Sequence, residues 1–269
     1  MAGSVVEKAD QAIDKPARGW RQRIIRAGAV VGPSWRRYRA SIFQGYLILA
    51  IIIFAILAVL AHTIAYFTFD LTITREIQAF HGEAFDATMR FLTWLGYTPQ
   101  GPMLVAFVFL FLYISGVKWE AVAMLLSNIG ISIVGTVIKL IVVRPRPSPD
   151  LVTVITKLPD YGFPSGHVLF FVTFFGFIAF LAFTLLKPSL IRRMLIMICL
   201  ALIFSIGFSR IYVGAHWASD VLAAYLLSSV WLTLTVRFYI WGKTRFFVHQ
   251  PVAKETPQPP KDKSHAITR

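Results

Sequence analysis

The chain contains a single cysteine, Cys199, set in an apolar run. No intrachain disulfide can form, and one thiol says nothing of redox compartment. Acidic side chains are also scarce, 13 Asp and Glu against 27 Lys and Arg. No metal-ligand pattern such as His-Glu-x-x-His occurs, so neither a metal nor another cofactor is expected. Charge of either sign is thin, at 15% of residues, whereas 57% are hydrophobic and the mean hydropathy is +0.66. That leaves too little polar surface to cover a soluble globule, and it points to a membrane protein.

The net charge of +14 raises the question of nucleic acid. Its distribution answers against it. Nine basic residues, Lys8 to Arg39, precede the first apolar run, and seven more lie from Arg237 onward. Basic clusters beside membrane segments attract anionic lipid headgroups and fix topology, so no nucleic-acid partner is expected. The first apolar run, starting near Ile42, is too long for the core of a cleavable signal peptide.

Six segments have membrane character, residues 42–67, 103–115, 119–143, 165–186, 194–208 and 218–241. The second and fifth are short and should extend into their flanks. Between the first two, Ile73, Ile77 and Phe80, then Phe85, Met89 and Leu92, recur at helical spacing among polar residues. They predict an amphipathic helical segment lying at the interface. The fold class is therefore all-α, a polytopic six-transmembrane-helix bundle over residues 42–241. A basic cytoplasmic arm (1–41) precedes it and a basic, disordered cytoplasmic tail (242–269) follows. The basic-residue bias puts both termini in the cytoplasm. Residues 69–100, 144–164 and 209–217 then share the opposite face.

Three motifs fall on that one face. The first is Lys139-x6-Arg146-Pro147. Asn128, Ser132, Gly135 and Lys139 form a small, polar stripe that turns Lys139 into the bundle, where a cation needs an anionic partner. Proline stiffens the turn that carries Arg146 and aims its guanidinium, while Arg144 reads as an interfacial charge. The second is Pro164-Ser165-Gly166-His167, a helix start whose free N–H groups, with the Ser165 hydroxyl, suit an anion that Gly166 lets approach. The third is Ser209-Arg210-x5-His216-x3-Asp220. At i and i+4 the His216 and Asp220 side chains can touch, so the carboxylate can fix the imidazole tautomer and leave the other nitrogen as a nucleophile. The pairs Phe170-Phe171 and Phe174-Phe175 would contact bulk lipid or line an acyl groove.

This constellation resembles the active site of the type-2 phosphatidic acid phosphatases, membrane enzymes that remove phosphate from lipids, and fills every fixed position of their pattern. The resemblance implies that Lys139, Arg146 and Arg210, with Ser165 and the Gly166 amide, bind the phosphoryl oxygens. It implies that His216 attacks phosphorus to form a phosphohistidine, supported by Asp220. His167 then protonates the departing oxygen and later activates water. Fixed cations would do the work of Mg²⁺.

A lipid phosphatase or diphosphatase of a bacterial inner membrane is therefore expected, its site on the extracytoplasmic face. Polyprenyl diphosphate and phosphatidylglycerophosphate lead the candidate substrates, with phosphatidate and lipid A-type phosphates also compatible. A phosphotransferase passing the phosphoryl group to another lipid or sugar hydroxyl would use the same motifs. A non-enzymatic transporter-like bundle would instead spread its charges through the midplane. Oligomeric state is not fixed by the sequence.

Overall fold

The computed structural model describes residues 33–246, so most of the expected basic arm and tail lie outside the described residues. Within them the chain forms eight helices and no strand. They are α1 (Pro33–Thr63), α2 (Thr68–Gln78), α3 (Glu83–Leu95), α4 (Gln100–Ile114), α5 (Lys118–Val142), α6 (Gly166–Leu185), α7 (Leu190–Tyr212) and α8 (Ala218–Phe246). A stretch of α1 (Ser41–Thr63) and the whole of α5, α6, α7 and α8 are each long and apolar enough to cross a membrane. The pair α3 and α4, bent by 65° at its break, makes a sixth span if counted as one.

Helix α6 is the hub and packs against α5, α7 and α8, while α1 leans on α8 at the rim. Over half of the apolar window of α6 is buried, against 6% in α1, so α1 presents most of its surface to lipid. Phe171, Phe174 and Phe177 of α6 are fully buried and Phe175 nearly so. Phe171, Phe174 and Phe175 are therefore core packing, with Phe170 half-buried against them, and they do not make the bulk-lipid contact that was one of the two readings. Helix association in lipid depends on close van der Waals fit, and Gly135 of α5 supplies it. A Cβ there would stand 2.7 Å from Leu169 Cδ1 of α6. The polar stripe of α5 is only partly inward, because Ser132 is exposed while Asn128 and Gly135 are buried.

The segment expected at the interface is helical, and the bundle draws it in further than amphipathicity alone requires. Asp70 and Thr74 of α2 are buried, and Met89, Leu92 and Thr93 of α3 are buried where that helix packs on α7. The fifth predicted segment lengthens to the full α7.

Connections sort to the two ends. The links α1–α2, α3–α4, α5–α6 and α7–α8 gather at one end with all three motifs. At the other end, buried Glu120 accepts from Lys243 Nζ at 2.6 Å and from the Tyr239 hydroxyl at 2.9 Å, tying α5 to α8.

Candidate active site

Helix α5 ends on Val143, whose backbone is left-handed (φ 54°, ψ 31°). For a β-branched residue this conformation costs about 1–2 kcal/mol. It turns the chain out of the helix directly before Arg144-Pro145-Arg146-Pro147. Gly214, at φ 65°, makes the second sharp turn, between α7 and His216.

The two arginines after Val143 do different work. Arg146 donates through Nη1 to the Ala215 carbonyl (2.6 Å) and lies 3.1 Å from His216 Nε2. Its Nε donates to the Asp160 carbonyl (2.7 Å) and its Nη2 to Asp160 Oδ1 (2.5 Å). Lys139 Nζ donates to the other oxygen, Oδ2, of the same carboxylate. Asp160 thus bridges two of the three motif cations. Burial alone would raise its carboxyl, but the hydrogen bond from Lys139 and the charges of Lys139 and Arg146 outweigh burial and hold it below the usual range.

Arg144 corrects the reading as an interfacial charge. It is fully buried, donating to Asp220 Oδ1 (2.5 Å), Ser219 Oγ (2.6 Å), Asp70 Oδ2 (2.9 Å) and the Ala65 carbonyl (3.1 Å). Asp70 also accepts from the Ser219 N–H at 2.8 Å. Two carboxylates and one guanidinium therefore clamp α2, the α5 end and the α8 start together.

His216 is almost wholly buried, and its Nδ1 lies 2.7 Å from the Gly162 carbonyl. A carbonyl can only accept, so Nδ1 carries the proton and Nε2 carries the lone pair. The sequence reading gave this task to Asp220, and here the structure differs. Asp220 Oδ2 stands 3.7 Å from Nδ1, too far for a hydrogen bond, and accepts instead from the Trp217 N–H at 3.0 Å. The carboxylate is committed to Arg144 and to capping α8, so it supports the imidazole only through space. Burial, then the charges of Arg146, Arg210 and Lys139, then His167, hold the His216 imidazole well below the ordinary histidine range. It is a neutral base inside a ring of cations.

Arg210, in the last turn of α7, is fully buried. Its Nη1 donates to Thr93 Oγ1 at 3.2 Å and reaches the Tyr97 hydroxyl at 3.5 Å, with its guanidinium over the Tyr97 ring. Its Nε and Nη2 have no partner among the described residues. Ser165, the N-cap of α6, is equally buried, and its hydroxyl makes neither a cap bond nor any other among the described residues. No described residue lies within 4 Å of where a Cβ on Gly166 would sit, so the first turn of α6 is open on that side. His167 Nε2 donates to the Thr93 carbonyl at 3.0 Å, and its ring meets Tyr97 edge-on. Every motif residue named from the sequence is at this end of the bundle.

Thr93 and Tyr97, at the α3–α4 break, were missed, although each touches both His167 and Arg210. Their i, i+4 spacing on the amphipathic segment was the available signal, but it was read for its apolar stripe. Asp160 and Gly162, just ahead of the second motif, gave no signal of their own.

The fold and site define a polytopic helical membrane protein with two histidines and three motif cations gathered at one end. Residues 120–243, which hold all three motifs, match the model of the PAP2 superfamily. An undecaprenyl-diphosphatase of Sulfolobus acidocaldarius is 42% identical over 77 residues. That match spans 29% of this chain and 32% of the relative's length. The crystal structure of a transmembrane PAP2 type phosphatidylglycerolphosphate phosphatase from Bacillus subtilis is similar with a TM-score of 0.65. Identity there is 25%, covering 75% of this chain and 98% of that one.

Proposed function

We propose that the protein is an integral membrane phosphatase that hydrolyses the phosphate or diphosphate of a membrane lipid. One observation carries the reading. Arg210 is a fully buried cation with two unpaired nitrogens and no carboxylate in contact among the described residues. A buried guanidinium left so costs several kcal/mol, and an arriving phosphoryl group removes that cost. The idle Ser165 hydroxyl and the open α6 start offer further donors to the same kind of anion.

In the proposed reaction the His216 Nε2 lone pair attacks phosphorus while Nδ1–H stays on the Gly162 carbonyl. The bond from phosphorus to the lipid oxygen breaks, and His167 delivers a proton to that oxygen. His167 then takes a proton from water, which attacks the phosphohistidine, releasing phosphate and restoring His216. Lys139, Arg146 and Arg210 neutralise the charge that builds on the phosphoryl oxygens. Among the described residues no three His, Cys, Asp or Glu side chains are grouped to hold a metal ion. The chemistry is assigned to the fixed cations.

The relatives' substrates put undecaprenyl diphosphate and phosphatidylglycerophosphate first. The test is phosphate release by the purified protein from these two lipids and phosphatidate, with and without EDTA. Release that survives chelation is expected. No release from any lipid, or activity restored only by one divalent ion, overturns the reading.

A further inference from the structure

We propose that Asp160 is a built-in competitor for the phosphoryl group. Its carboxylate occupies the Lys139–Arg146 half of the anion pocket until a more highly charged headgroup displaces it. The proposal rests on the reading of this pocket as a phosphoryl site and adds to it a means of selection.

The geometry is that of a stand-in ligand. One carboxylate oxygen is on Lys139 Nζ and the other on Arg146 Nη2, as two phosphoryl oxygens would be. Both cations are largely shielded, with side-chain exposures of 16% and 10%, whereas the Asp160 side chain is 50% exposed and has room to swing out. The backbone need not follow it. The Asp160 carbonyl holds Arg146 Nε, and two residues on, the Gly162 N–H donates to the Arg144 carbonyl at 2.8 Å. The side chain can therefore leave while the segment that fixes the His216 tautomer stays in place.

A carboxylate brings one negative charge and two oxygens. A phosphate monoester or diphosphate brings about two charges and three terminal oxygens, so it wins the exchange and also engages Arg210 and Ser165. The phosphodiester headgroups of bulk anionic lipids carry one charge each and gain little by displacing an anion already in place. A bilayer full of such headgroups would otherwise clog a cationic pocket open at headgroup level. The returning carboxylate also helps expel product phosphate.

The test compares wild type with Asp160→Asn and Asp160→Ala. Each variant keeps the backbone carbonyl that holds Arg146, and thermal unfolding in detergent confirms that each is folded. The readouts are KM for the lipid phosphate, Ki for inorganic phosphate, and the mole fraction of phosphatidylglycerol in mixed micelles that halves the rate. Two half-exposed ion pairs are lost, so all three should fall by about three- to tenfold in both variants. If Asp160 merely positioned Arg146, KM and Ki would rise. Any of the three readouts unchanged or raised overturns the proposal. A wild type that neither releases phosphate nor is inhibited by it refutes the phosphoryl reading itself.

Discussion

At the scale of the residue, the proposal turns on His216, whose tautomer is chosen by a backbone carbonyl. The Gly162 carbonyl accepts the Nδ1 hydrogen bond, and burial, reinforced by the surrounding cations, holds the imidazole neutral. The pH behaviour follows with a definite sign. A depressed pKa means the free enzyme keeps the proposed nucleophile unprotonated well below the ordinary value of about 6.5. The acid limb of kcat/KM, which reports the free enzyme, should therefore lie well below pH 6.5. The unfolded chain binds this proton more readily than the folded one, so the His216 contribution to stability falls as pH drops below about 6.5. A kcat/KM profile from pH 4 to 8 checks the first statement. An acid limb at or above 6.5 would show that the imidazole is not held as described.

At the scale of the element, the site is a meeting of helix ends, and the Arg144 clamp sets their relation. It joins α2, the exit of α5 and the start of α8 through Asp70, Ser219 and Asp220. Arg144→Met would leave two buried carboxylates without their cation, which costs about 3–5 kcal/mol. Arg245→Met, on an exposed side chain of α8, should change stability by no more than about 0.5 kcal/mol. Chemical unfolding of both variants in micelles checks the contrast, and an Arg144→Met protein as stable as wild type would contradict the clamp. What the sequence made legible follows the same division. Lys139, Arg146, Ser165, His167, Arg210 and His216 sit at fixed short spacings on helix ends, so their shared face followed from span order. Asp70, Thr93 and Tyr97 act across separations of 70 residues or more. The i, i+4 spacing of Thr93 and Tyr97 puts them on one helix face but does not say which distant residues that face meets, and the roles of Arg144 and Asp220 were misread for the same reason.

At the scale of the whole molecule, polarity is divided between two ends of an apolar bundle. The site lies at one end, while the start of α1 and the finish of α8 lie at the other. Nine basic residues before the first span and seven from Arg237 onward predict, by the positive-inside rule, that this second end is cytoplasmic. The site is then expected to face away from it, near headgroup level. Lys157 is exposed beside the site, Lys187 is exposed at the opposite end, and the native Cys199 is buried and gives little background. Lys157→Cys should react with a membrane-impermeant thiol reagent in intact cells, and Lys187→Cys only after permeabilisation. The reverse pattern would invert the topology.

The central claim is that His216 carries the phosphoryl group, and trapping that adduct tests it most directly. Wild type, His216→Ala and His167→Ala would be mixed with a lipid phosphate radiolabelled at phosphorus. The reaction is stopped in detergent at alkaline pH, where a phosphohistidine survives. Label should stay on wild type, persist on His167→Ala with substrates whose leaving oxygen is already acidic, and be absent from His216→Ala. Label retained by His216→Ala and lost from His167→Ala would contradict the account and exchange the roles of the two histidines.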